Sequence, residues 1–321
     1  MSVTDLDRTV DDLLDRLGAS FRLDRRIGDR PLGELFESTI RHAAGVASVD
    51  FSRLGDPAEL HRSADGIMHF FYRPHLFPDM DDALRLGHLV QFDLLPRELP
   101  DRSPVEAAAM LESYCHLSGD LFGWQSVADT TLTAWMLDVS GHGVRAGFGA
   151  VVMKLILADI DPTLPLSDLA KQVERRFLEL RHPDDRATLY ATGVFLRLGD
   201  DGRTEYLSAG HPPLLVRRSD GRVEEHEATS VPLVLLPDID AGSRSITLGP
   251  TDTLLVFTDG LIELAGPEGQ PFGLERTSDV LGATPGDPID VIEALAGAVA
   301  DYHDLDRLDD DLSLLAMRRR T

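Results

Sequence analysis

Apolar residues recur at helical spacing in some stretches of this chain and alternate in others. Over residues 4–19, Leu6, Val10, Leu13, Leu14 and Leu17 fall on one stripe before Gly18, and Thr4 is placed to cap it. Leu32, Leu35, Phe36, Ile40 and Ala43 line one face of a second predicted helix over 31–46, and 79–95 reads as a third, which Pro96 stops. Residues 96–104, rich in proline and charge, read as a joint. Beyond it the pattern alternates: strand 105–114, strand 131–137, helix 144–160, helix 165–180. From Thr188 onward short strands dominate, with glycine turns at 199–202 and 219–221 that predict two hairpins. Residues 252–257 and 312–317 read as strands and 287–302 as a last helix. Residues 51–78 give no clear period, and their His61, His69 and His75 have a spacing that fits no metal cluster.

The run 131–137 alternates at Leu132, Ala134 and Met136, with Trp135 and Leu137 suggesting cover on both faces. It leads into Asp138-Val139-Ser140-Gly141-His142-Gly143 and then directly into a helix. An acid at the end of a buried strand, followed by two glycines, can present a carboxylate to a metal or phosphate. It can equally be a strand-to-helix turn, and this stretch alone leaves both open. Asp120, Asp259 and Asp310 also stand at strand edges, the first two beside glycines and the last in an acidic triplet. If the fold gathers these four, their charges need cations, because close carboxylates raise one another's pKa. All-oxygen ligands favour Mg²⁺ or Mn²⁺, and two such ions make a hydrolytic centre that activates water. No rival nucleophile stands out: Ser140 is not in a Gly-x-Ser-x-Gly turn, and no Cys/His pair is evident.

Charge narrows the function classes. With 31 basic against 55 acidic residues, the formal net charge is −24. This argues against binding to nucleic acid or an anionic membrane and is compatible with binding divalent cations. The single cysteine, Cys115, excludes an internal disulfide, fits a reducing cytoplasm and reads as a small core residue. The acidic start lacks a signal-like apolar segment, and no run approaches about 18 apolar residues, so a cytoplasmic protein without a membrane span is expected.

From about Leu89 to Met317 the chain resembles the PPM-type metal-dependent serine/threonine phosphatases. The closer likeness is to their bacterial branch, typified by the sporulation stage II protein E phosphatase and the phosphatases that activate stress sigma factors. The pieces that carry it occur in the family's order: Gln91-Phe92-Asp93-Leu94-Leu95-Pro96, Ser118-Gly119-Asp120, the Asp138–Gly143 turn, Ala191-Thr192-Gly193, Ser208-Ala209-Gly210-His211-Pro212-Pro213, Phe257-Thr258-Asp259-Gly260-Leu261 and Asp310-Asp311-Leu312-Ser313. The resemblance implies an α+β fold of two packed antiparallel sheets flanked by helices, an αββα sandwich. A mainly helical, regulatory or dimerising region would span 1–88 and the phosphatase domain 89–321. It implies two Mn²⁺ or Mg²⁺ ions bridged by Asp138, with the Val139 backbone carbonyl on one. Asp259 and Asp310 would complete the coordination of the second metal, and Asp120 would hold water or a further cation. Asp138, Asp259 and Asp310 are thus the expected catalytic acids. The implied reaction is hydrolysis of phosphoserine or phosphothreonine by a metal-activated water, on an anti-sigma-factor antagonist protein.

In relatives, helices at the position of 79–95 can govern metal binding and mediate dimers. A homodimer, and a noncatalytic or conditionally active regulator switched by its N-terminal helices, therefore form the second expectation. Two departures stand out. Gly123 occupies a position where many relatives carry a second acid, and no arginine is clearly placed to grip phosphate, Arg145 being the nearest. For His142 and His211, packing or hydrogen bonding is expected rather than acid catalysis. No phosphate-binding glycine loop supports nucleotide hydrolysis.

Overall fold

The chain forms helices α1 (Val3–Gly18), α2 (Leu32–Val46), α3 (Asp82–Leu94), α4 (Val144–Asp159), α5 (Leu166–Leu180), α6 (Asp259–Glu263), α7 (Gly273–Ala283) and α8 (Pro288–Tyr302). Its strands are β1 (Arg26–Ile27), β2 (Arg30–Pro31), β3 (Arg62–Ser63), β4 (Gly66–Phe71), β5 (Val105–Glu112), β6 (Asp120–Ala128) and β7 (Thr131–Val139). After these come β8 (Ala191–Gly199), β9 (Arg203–Ala209), β10 (Leu214–Arg217), β11 (Val223–His226), β12 (Arg244–Thr247), β13 (Thr253–Phe257) and β14 (Leu312–Arg319). The structure is a computed structural model that describes residues 3–46, 62–63, 66–71, 82–96, 98–114, 117–128, 130–182, 189–236, 241–304 and 307–320. His61, His75 and Cys115 lie outside these residues.

Two sheets are stacked. One has the order β12-β9-β8-β7-β6, the other β11-β10-β13-β14-β5-β4-β3. Pairing is antiparallel in both, except that β4 runs parallel to β5. The alternation read in β7 sets the layers. Leu132, Ala134 and Met136 point between the sheets and meet Val105, Ala109, Val256, Leu315 and Met317. Trp135, Leu137 and Val139 point the other way, into a layer built by α4 and α5. On the outer face of the second sheet, Leu255, Phe257 and Leu314 pack against Val291, Ile292, Leu295 and Val299 of α8. The expected αββα sandwich is therefore the fold, and both predicted hairpins form, β8 with β9 and β10 with β11.

The N-terminal helices belong to the same core. Val10, Leu13, Leu17, Leu32, Phe36, Ile40, Leu86 and Val90 are buried together with Phe148, Val151 and Phe177. Phe36 meets Phe148 edge-on at 5.6 Å, and Phe21 meets Phe177 at 5.5 Å. Beyond strands β1 to β4, three elements carry no sequence period. β6 is buried on both faces over its first five residues, which hides its alternation. α7 buries only Thr277 and Leu281, too few to mark a stripe. α6 is a single turn.

Candidate metal centre

Antiparallel pairing of β6 with β7 sets Asp120 directly opposite Asp138, and Asp138 in turn faces Thr192 on β8. Like charges directly opposite on a sheet are unfavourable, so this register is an observation in itself. Just before β6, the Gly119 carbonyl accepts the Val139 N–H at 3.1 Å. A Cβ on residue 119 would stand 2.7 Å from the Val139 carbonyl oxygen, so only glycine lets the two turns approach this closely. β7 then bends into α4 through Gly141 and Gly143, at φ 84° and 80°. Ser140 is committed to this bend: its N–H donates to the Tyr190 carbonyl at 2.9 Å, and its Oγ accepts the Tyr190 N–H at 3.1 Å.

The second sheet delivers the remaining acids. β13 ends at Phe257, Thr258 precedes α6, and Asp259 opens that helix. The Thr258 hydroxyl donates to Asp120 Oδ2 at 2.8 Å and accepts the Ser313 N–H at 2.9 Å, tying the two sheets together. Gly260 passes so near β14 that a Cβ there would collide with the Asp311 carbonyl. Asp310 is exposed, and its Oδ1 accepts the Asp311 N–H at 2.9 Å. Asp311 is buried. Its two carboxylate oxygens accept the N–H groups of Tyr114 at 2.8 Å and Gly119 at 2.7 Å. Sequence reading did not single out Asp311, because three consecutive acids give no pattern.

The charges of these acids are felt mutually. Burial pushes the Asp138 carboxyl up to about 8, helped by repulsion from Asp259, Asp310 and Asp311, while the Thr192 hydroxyl opposes the shift. Asp120 is driven well above the usual carboxylate range by burial, then by Asp138 and Asp311, with the hydroxyls of Ser313 and Thr258 pulling back. Burial, Asp310 and Glu263 raise Asp259. Burial also raises Asp311, to about 7, although two backbone N–H groups favour its ionised form. The fold thus brings Asp120, Asp138, Asp259 and Asp310 to one end of the sandwich and adds Asp311. As they stand, no three carboxylate, imidazole or thiol groups among the described residues close on a single point. The donor set nevertheless fits hard divalent cations: oxygen ligands only, partly desolvated, with a mutual repulsion that a cation would relieve.

The secondary candidates sort themselves. His211 is buried, shares a 2.9 Å hydrogen bond with Thr192, and is held down to about 3 by burial, with the backbone of Phe257 pulling weakly the other way. A neutral ring of this kind positions Thr192 and is no acid at neutral pH. His142 is exposed and stacks edge-on against Tyr114 at 5.0 Å. Arg145 is half-buried in the first turn of α4. Gly123 faces the α4 layer, where a Cβ would stand 2.7 Å from Lys154 Nζ and 2.8 Å from the Trp135 ring. The space of the absent acid is therefore filled. Lys154 and Asp120 share the lining of one small cavity with Gln91 and Ser118, and burial lowers the Lys154 ammonium to about 8. Gln91, on α3, is the other residue of this centre that sequence reading left without a role. Its amide nitrogen donates to the carbonyls of Ser118 at 2.8 Å and Gly147 at 3.0 Å, and its oxygen accepts the Ser118 N–H at 2.9 Å.

Known proteins resemble this chain in sequence and in fold. Phosphoserine phosphatase RsbP of Bacillus subtilis is 27% identical over 182 residues, which is 56% of this chain and 45% of that protein. The SiaA-PP2C domain of Pseudomonas aeruginosa superposes with a TM-score of 0.65 at 19% identity, over 77% of this chain and all of that one. The RsbU and RsbW domains of Rv1364c from Mycobacterium tuberculosis give 0.56 at 25% identity, over 68% of this chain and 63% of that one. The chain spans less than half the length of the curated relatives it matches. No helix among the described residues is long and apolar enough to cross a membrane. The family model for Stage II sporulation protein E (SpoIIE) matches residues 128–320, which run from the end of β6 to the end of β14 and include Asp138, Asp259 and Asp310. With the paired acids, the sandwich and this match in agreement, the chain belongs to the SpoIIE family of PP2C-type phosphatase domains.

Proposed function

We propose that the chain is a metal-dependent protein phosphatase acting on phosphoserine or phosphothreonine, with an anti-sigma-factor antagonist as its substrate. The observation that carries this reading is the meeting of Asp120, Asp138, Asp259 and Asp310, from four chain segments, at one end of the sandwich. Asp138, the Val139 carbonyl, Asp259 and Asp310 would hold two Mg²⁺ or Mn²⁺ ions, with Asp120 behind them. Such ions, when bound, supply Lewis-acid polarisation of the phosphoryl group and lower the pKa of water. The chain's own part is to fix the donors. Thr258 orients Asp120, the Gly119 carbonyl holds the Val139 amide, and neutral His211 holds Thr192 beside Asp138.

The test is hydrolysis of p-nitrophenyl phosphate and of a phosphoserine protein with Mn²⁺, with Mg²⁺ and with EDTA. Turnover should need the metal, and Asp138→Asn should lower it at least about a hundredfold. Metal-dependent turnover that survives in Asp138→Asn would sink the assignment.

A second reading, a conditionally active regulator switched by its N-terminal helices, is favoured by Gln91. One side chain of α3 clamps both the Ser118 turn ahead of Asp120 and the start of α4. Gln91→Ala should weaken Mn²⁺ binding by about 10–100-fold, as losing a residue that orients metal ligands does, while the fold persists. Unchanged metal affinity and turnover in that variant would remove α3 from the mechanism.

A further inference from the structure

Four large apolar side chains are exposed among the described residues: Leu178, Val231, Leu235 and Leu236, at between 38% and 54%. They lie on two segments that one hydrogen bond joins. The buried Glu174 carboxylate of α5 accepts the Val234 N–H at 2.9 Å, and Leu178 follows Glu174 by one helical turn. Val234 has φ 67°, the one positive value outside glycine among the described residues. A β-branched residue is a true outlier there, and such outliers gather at ligand clamps and active sites. The bent backbone buries Val234 and leaves Leu235 and Leu236 in solvent.

The loop borders the metal centre. Leu233 and Ala191 exchange both backbone hydrogen bonds, at 3.1 and 2.8 Å, and Ala191 pairs with Val139. Two strand spacings, roughly 10 Å, therefore separate Leu233 from the strand of Asp138 and Val139. A protein interface of ordinary size covers about 800 Å² on each partner, a disc of roughly 16 Å radius. Any protein that sets a phosphorylated side chain on the centre would reach the loop.

We infer that Val231, Leu235 and Leu236, flanked by Leu178, are the surface on which the phosphoprotein substrate docks, through apolar residues beside its phosphorylated side chain. The inference rests on the phosphatase reading above. Charge favours this occupant chemistry. The chain carries −24, and a phosphoserine adds up to about two negative charges to its partner, so these charges oppose the encounter and apolar contact beside the centre offsets that repulsion.

The experiment uses the full chain and two fluorescent phosphoserine peptides that differ only in their flanks, leucine and isoleucine in one and serine in the other. Binding is read by anisotropy in EDTA, and turnover of p-nitrophenyl phosphate is read with Mn²⁺. The apolar peptide should bind about tenfold more tightly than the polar one. Leu235→Ser with Leu236→Ser should erase that preference and leave both p-nitrophenyl phosphate turnover and the thermal midpoint unchanged. Equal binding of the two peptides by the wild type, or a preference that survives the double variant, overturns the inference. So does a wild-type dimer that the double variant dissolves in sedimentation, since the patch would then serve a second copy of the chain. Absence of p-nitrophenyl phosphate turnover with the peptide preference intact would defeat the phosphatase reading alone.

Discussion

Asp310 and Asp311 are joined by one peptide bond and do different work. Asp310 is solvent-exposed and its charge is felt by Asp138 and Asp259, whereas Asp311 is buried under two backbone N–H groups. A consequence for pH follows from the raised acids. In the unfolded chain they titrate near 4. In the folded chain Asp138 is pushed up to about 8 and Asp311 to about 7. Between these values the folded state binds more protons than the unfolded state, so its stability falls as pH rises. The metal-free protein should therefore melt at progressively lower temperature from about pH 5 to pH 8, and Mn²⁺ should restore more at the upper end than at the lower. Thermal scans in EDTA and in Mn²⁺ check this; a midpoint that climbs with pH in EDTA would contradict it. The four acids are legible in the sequence because glycines or strand ends mark them. Asp311 and Gln91 are not, because each acts on backbone groups brought near only by tertiary structure.

At the level of elements, α1, α2 and α3 are walls of the layer that also holds α4 and α5. Phe36 and Phe21 interlock edge-on with Phe148 and Phe177, contacts worth about 0.5–1.5 kcal/mol each beyond simple burial. A fragment of residues 97–321 should consequently expose Phe148, Val151 and their neighbours. It should aggregate or bind a hydrophobic dye where the full chain does not; a fragment as soluble and as stable as the full chain would show these helices to be dispensable. The apolar stripe of α5 makes it readable from the amino-acid pattern alone, and β7 and α4 are readable as apolar runs on either side of the Asp138–Gly143 turn. β6 and α7 escape because burial on both faces erases alternation in one, and scant burial leaves no stripe in the other.

For the whole molecule, the sandwich depends on strands far apart in the chain. β14, the last strand in sequence, lies in the middle of its sheet, with β13 on one side and β5 on the other. A ribosome therefore delivers β5 and β13 with a gap between them that only a later strand can fill. Until β14 and the acids ahead of it arrive, the Gly119 turn and Tyr114 lack the carboxylate that binds them, and Asp310 is missing from the acid cluster. Pairings of such long sequence separation form slowly. Synthesis is thus coupled to assembly: a nascent chain that stops between Asp259 and Asp310 has the acids at 120, 138 and 259 and much of the hydrophobic core, yet lacks the strand and the acids that complete the cluster.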